Sequence, residues 1–165
     1  RVLDAGLRPT HLDTHKHTHL IPQVLDATAR LSQEYGFGWV RRPFDLPLHA
    51  GGVPLGQRLL SRGLNSLRQQ FHRKLRKHGC RTTDHFAGFQ LTGRFRAGEL
   101  MALFRSLPEG TTEFMAHPGR CSDELRCAQT RLKECREVEL EALTAPEVRR
   151  VLSDNGIELI GYRDL

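Results

Sequence analysis

Five side chains that can bind a metal or move a proton alternate along His11-Leu12-Asp13-Thr14-His15-Lys16-His17-Thr18-His19. In an extended strand, residues i, i+2 and i+4 share one face, so His11, Asp13, His15, His17 and His19 would project together. Imidazole with carboxylate is a natural donor set for a divalent ion. A strand of ordinary length cannot hold all five in line. The chain is therefore expected to bend near His15 or His17, leaving two or three groups at the site and the others in the loop beyond. A lone histidine is more often a hydrogen-bonded structural residue than a ligand, but four alternating with an aspartate have no obvious packing benefit. A second element, Glu113-Phe114-Met115-Ala116-His117-Pro118-Gly119, ends an apolar run on a histidine just before a Pro-Gly turn. An imidazole there can serve as general acid or base near neutral pH. His-Pro-Gly is equally an ordinary strand terminator.

The elements that must position these groups alternate between strand and helix patterns. Strands are expected at residues 9–15, 39–44, 82–89, 111–116 and 157–162. Helices are expected at 23–35, 56–78, 97–107 and 123–143, with a last one opening at Pro146 and ending before Gly156. The Pro- and Gly-rich stretch 43–54 is long enough to suggest a binding or lid role. Repeated strand-then-helix order predicts an α/β fold with parallel strands under covering helices. A complete (β/α) barrel takes about 250 residues. The 165 residues here supply much of one but not all, so the expectation is an incomplete (β/α) TIM-like barrel forming one domain.

Composition narrows the class further. With 38% hydrophobic and 27% charged residues, the chain reads as soluble and globular. No run approaches the roughly 18 apolar residues needed to span a bilayer, and no secretory signal is evident. Cys80, Cys121, Cys127 and Cys135 form no CxxC pair, which argues against a zinc knuckle or a disulfide framework. Reduced thiols in a cytoplasmic protein are the simplest expectation. The net charge of +6 arises largely from residues 58–81, with Arg62, Arg68, Arg73, Lys74, Arg76 and Lys77. Only Phe71 could offer aromatic stacking there. The stretch is read as a solvated helix face rather than a nucleic-acid groove, with at most peripheral attraction to a membrane surface. No nucleic-acid partner is expected, and the sequence leaves a homodimer open.

With these two elements in hand, the chain resembles the YdjC-like carbohydrate deacetylases, most of all the branch associated with hopanoid biosynthesis, HpnK. The likeness runs through Arg8-Pro9-Thr10-His11-Leu12-Asp13-Thr14-His15-Lys16-His17-Thr18-His19 and Arg81-Thr82-Thr83-Asp84-His85-Phe86-Ala87-Gly88-Phe89. It continues through residues 113–119, 136–144 and 156–160, and Tyr162. The resemblance implies a metal-dependent enzyme hydrolysing the acetamide of an N-acetylated sugar or glycolipid. It implies His15 as a metal ligand, with Asp13 and His17 flanking it at the site, Asp13 with a catalytic role and His17 against substrate. His117 would give a proton to the leaving amine. Arg136, Asp84 and His85 would contact substrate. The ion would be magnesium by family likeness, or zinc on the softness of imidazole donors. The family's Asn-Ala-Asp-Asp-Phe-Gly motif and its Gly-x-His element do not occur in this sequence. They are expected ahead of Arg1, so that the 165 residues are the C-terminal part of the enzyme and inactive alone. A different metal-dependent hydrolase on the same barrel, or a basic module binding polyanions or membranes, are the competing readings.

Overall fold

A computed structural model describes residues 1–46 and 55–165; most of the 43–54 stretch therefore lies outside the described residues. Four short strands carry the architecture: β1 (His11–Leu12), β2 (Trp39–Val40), β3 (His85–Ala87) and β4 (Thr112–Phe114). β1 pairs in parallel with β2 (His11 opposite Trp39), and β3 pairs in parallel with β4 (His85 opposite Thr112). A parallel bridge between Trp39 and Arg81 connects the two pairs at one end. The Leu46 amide donates to the Phe86 carbonyl at 2.8 Å further along. The strands thus form two parallel pairs linked by that isolated bridge, an α/β arrangement with crossover helices.

Each crossover follows from local sequence. After β1, Pro22 opens α1 (Pro22–Tyr35), and Gly36 ends it in the left-handed conformation at φ 69°; this is the usual Pro-first, Gly-last grammar. Between β2 and β3 come α2 (Leu55–Asn65) and α3 (Arg68–Lys77), in place of the single helix expected over 56–78. The chain breaks at Ser66–Leu67, where the Ser66 hydroxyl donates to the Gly63 carbonyl at 2.7 Å. Such side-chain bonding competes with a continuing helix. α4 (Ala97–Arg105) joins β3 to β4. The helix expected over 123–143 is likewise two, α5 (Asp123–Cys127) and α6 (Cys135–Thr144), and α7 (Pro146–Asp154) follows.

Two apolar cores result. Leu25, Ala29, Val40, Phe44, Phe71, Leu75 and Cys80 pack beneath α1 and α3. Ala87, Leu91, Phe95, Leu100, Leu103, Phe104, Ala142, Val148, Val151 and Leu152 pack beneath α4, α6 and α7. The strand expected at 157–162 does not form: among the described residues it pairs with no neighbour. Leu159 is 77% exposed, so apolar character alone found no sheet edge to join. The other strands are shorter than expected, because the ladder ends where the chain turns to build the site. All four cysteines are free thiols. No helix among the described residues is long and apolar enough to cross a membrane.

Candidate active site

The histidine run leaves β1 by bending, as its composition requires. After extended Thr14, residues His15–Leu20 form a 3₁₀ segment interrupted at Lys16 (φ 54°) and His17 (φ 55°). Two consecutive non-glycine residues in the left-handed region cost about 1–2 kcal/mol each. Strain of this kind persists where surrounding structure holds it. Here it turns His17 inward, against the ring edges of Phe86 and Phe89 at 5.6 and 5.8 Å. His15 stays exposed, and His17 and His19 are buried.

The two buried histidines do different work. His19 is fully satisfied: its Nε2 donates to the Arg41 carbonyl at 2.9 Å, and the Thr14 hydroxyl donates to its Nδ1 at 2.6 Å. Its backbone N–H returns to Thr14 Oγ1 at 2.9 Å. His19 is therefore a brace that locks the bend onto the strand beside it. His17, by contrast, has a buried Nδ1 with no hydrogen-bond partner. Buried polar atoms are normally paired, so this nitrogen keeps its capacity to bond a further group. Its pKa is lowered to about 4, first by burial, then by repulsion from His19 and Arg41, against the attraction of Asp13. The charge of His117 lowers it further. The two histidine elements, separated widely in sequence, are thus near enough for His117 to act weakly on His17.

His117 follows β4 and its backbone N–H donates to Glu139 Oε2 at 2.7 Å. Glu139 is fully buried on α6 and also accepts from the Gly93 N–H at 2.7 Å. One carboxylate therefore ties the end of β4 to the turn before α4. His117 Nδ1 is buried without a partner, like that of His17. Burial holds the His117 pKa below its usual value, opposed by Glu139 and reinforced by Arg136. Arg136 itself sits close by: its Nη1 donates to the His117 carbonyl at 3.4 Å, and its own carbonyl accepts the Gly119 N–H at 3.1 Å.

Between the two histidines lies Arg41, which sequence reasoning passed over. It follows β2, donates from Nε to Glu113 Oε1 at 2.6 Å, and forms an ion pair with Asp13 through Nη1. Glu113 in turn accepts from the Tyr162 hydroxyl at 2.6 Å. Burial, and then Glu113, push the Tyr162 pKa well above its usual value. Tyr162 also stacks on His11 with ring centroids 3.9 Å apart. The tail that failed to become a strand is docked instead by this phenol. Arg41 stands beside Arg42, and Glu139 lies among Arg136, Glu137 and Glu141, so neither stood out by local pattern.

Asp13, His17, Arg41, His117 and Arg136 gather at the carboxyl ends of β1, β2 and β4, where parallel α/β folds place their sites. Asp84 and His85 lie apart, at the amino end of β3. Asp84 Oδ2 accepts from the Thr111 N–H at 2.9 Å and its hydroxyl at 2.8 Å, and His85 Nε2 donates to the Glu109 carbonyl at 3.2 Å. Both secure the turn that enters β4. As for a divalent ion, the orphaned Nδ1 atoms of His17 and His117 and the carboxylate of Asp13 have suitable donor chemistry. The number of donors falls short: among the described residues, no three His, Cys, Asp or Glu side chains converge as a ligand set, and Asp13 is engaged by Arg41.

Comparison with known proteins adds three findings. The family described as YdjC-like protein matches residues 1–154. A carbohydrate deacetylase of Mus musculus is 31% identical over 180 residues, which cover 97% of this chain and 56% of that protein. One from Homo sapiens is 32% identical over 97% of this chain and 54% of its own length. A chitooligosaccharide deacetylase of Serratia marcescens is 27% identical, again over 97% of this chain and 54% of its own. Among solved structures, a protein described as a cellobiose-phosphate cleavage protein from Enterococcus faecalis V583 superposes with a TM-score of 0.67 at 21% identity. That match covers 98% of this chain and 55% of that one, and supports the α/β fold. The chain spans about half the length of the curated relatives it matches.

Proposed function

Because the chain belongs to the YdjC-like family, we propose that its site takes part in hydrolysing the acetamide of an N-acetylated amino sugar. The observation that carries this reading is the presence of two imidazoles, buried His17 and half-buried His117, each with a buried Nδ1 that has no partner among the described residues, beyond the carboxyl ends of parallel strands. The deacetylase names of the Mus musculus and Serratia marcescens relatives support the substrate class.

His117 is the reacting group in this scheme. Its depressed pKa leaves the ring neutral at pH 7, so it first accepts a proton and only then donates one. It takes a proton from the attacking water as the water oxygen bonds to the acetyl carbon. When the C–N bond breaks, the same proton passes to the departing amine, giving acetate and free amino sugar. Arg136 and Glu139 hold His117 in place, Asp13 fixes Arg41 beside the pocket, and His17 faces the substrate. Asp84 and His85 keep the turn role their hydrogen bonds describe. A divalent ion, magnesium by family likeness or zinc by donor softness, belongs to the reading, with the exposed His15 as this chain's contribution to a larger set. The described residues do not complete that set. The four parallel strands are read as part of a (β/α) barrel.

The test is acetate release from diacetylchitobiose by the full-length protein and by its His117→Ala and Arg136→Met variants. The expected outcome is loss of about a hundredfold or more in turnover for His117→Ala. The Arg136→Met variant should lose less and respond mainly in KM. Unchanged turnover in His117→Ala removes this ring from the reaction. Dialysis against a chelator followed by magnesium or zinc addition decides the ion.

A further inference from the structure

The described surface carries one strongly charged segment that the site does not use. Between Asp45 and Asp84 there is no acidic residue, yet eight Lys and Arg fall there. Elsewhere the chain has 17 basic against 19 acidic residues, so this segment holds the entire positive excess. On α3, Arg68, Arg73, Arg76 and Lys77 are exposed, with no ion pair among the described residues. Only Lys74 is neutralised, by Asp26 at 2.6 Å.

The same segment exposes apolar side chains. On α2, Leu55, Leu59 and Leu60 are exposed by 71%, 57% and 51%, while Leu64 turns inward to the core. Leu67 continues the stripe and borders an apolar recess lined also by Leu20, Pro22, Leu25 and Phe71. Ile21 stands exposed at the start of α1. Exposed leucines beside unpaired guanidinium groups on adjoining helices are the signature of an interfacial helix, which buries its apolar face among acyl chains and its cations among headgroups.

We propose that α2 and α3 form a docking face for an anionic lipid surface. Charge selects the occupant. A second copy would set two acid-free basic segments against each other. Nucleic acid would answer the charge but not the leucines, and among the described residues of the face the one phenyl ring, Phe71, is buried. A bilayer containing phosphatidylglycerol answers both features.

The experiment is vesicle flotation of the unmodified chain, with phosphatidylcholine alone and with phosphatidylglycerol added, in the absence of any acetylated substrate. Its failure is therefore distinct from failure of the deacetylase reading. The chain should float with anionic vesicles only, and added salt should release it. Arg73→Gln with Arg76→Gln should weaken partitioning by roughly fivefold per charge removed. Leu59→Gln with Leu60→Gln should weaken it by roughly tenfold or more. All four side chains are exposed, so the variants should keep the parent's circular dichroism. Equal binding to neutral vesicles, or no flotation, overturns the proposal. So does tighter binding to duplex DNA that ignores the leucine changes.

Discussion

The guanidinium of Arg41 stands between carboxylates that the chain delivers from two distant strands. Asp13 comes from the end of β1 and Glu113 from within β4, and Arg41 reaches both from the end of β2. Glu113 is nearly buried, at 8% side-chain exposure, and Arg41 is 18% exposed. Removing one member of such a pair leaves the other charge uncompensated, which typically costs about 3–5 kcal/mol. Arg41→Met is therefore expected to destabilise the chain by about 3 kcal/mol in urea unfolding. Arg41→Lys should recover only part of this, since an ammonium cannot hold two carboxylates in the planar fork of a guanidinium. A loss below about 1 kcal/mol for Arg41→Met would mean that the two carboxylates find water or other donors instead.

At the scale of elements, two short stretches of backbone decide where the histidines go. The left-handed pair Lys16–His17 makes the bend that buries His17. Lys16 is exposed, so Lys16→Gly should relieve strain without removing a contact and raise stability by about 1 kcal/mol. Gly88 follows β3 at φ +135°, and an added Cβ would come within 2.2 Å of the Met115 carbonyl oxygen. That close approach presses the end of β3 against the strand leading to His117. Gly88→Ala should lower stability by about 3 kcal/mol and shift the amide resonance of His117. A tolerant Gly88→Ala and a destabilising Lys16→Gly would together show that neither turn is under the constraint described.

For the whole molecule, buried titratable groups make stability depend on pH in two opposing ways. His17 and His72 are held at about 4, and His19 and His117 are also lowered, all chiefly by burial. A histidine with a depressed folded pKa binds its proton more readily when unfolded. Stability therefore falls as pH drops below about 6.5 toward 4. Asp45 runs the other way: burial raises its pKa to about 6, against the N–H donors of Phe89 and Gln90. It binds its proton more readily when folded, so it adds stability as pH falls through the same window. Four histidines outweigh one aspartate, and the urea midpoint is expected to fall steadily between pH 7 and 5. Asp45→Asn should make that decline steeper. A midpoint that rises on acidification would show that the histidines are protonated in the folded chain.

Sequence alone carried the family likeness and the order of elements. Alternation of His and Asp over residues 11–19 demanded a bend, and a strand-end His117 before Pro-Gly marked a second contribution, because both signals are local and periodic. The parallel α/β order and the family likeness were legible for the same reason. Tertiary structure decided what depends on partners distant in the chain. His19 became a brace because the Arg41 carbonyl was there to accept its proton, and His17 was left with an open nitrogen because no such partner was. Arg41 and Glu139 gained their roles only when the Arg41 side chain reached Glu113 on β4 and Glu139 on α6 accepted the His117 N–H beyond it. The 157–162 stretch lacked a neighbouring strand, so Tyr162 docked through its hydroxyl and ring instead. Apolar spacing predicts that a segment can be buried; which surface it finds is settled by contacts that spacing does not encode.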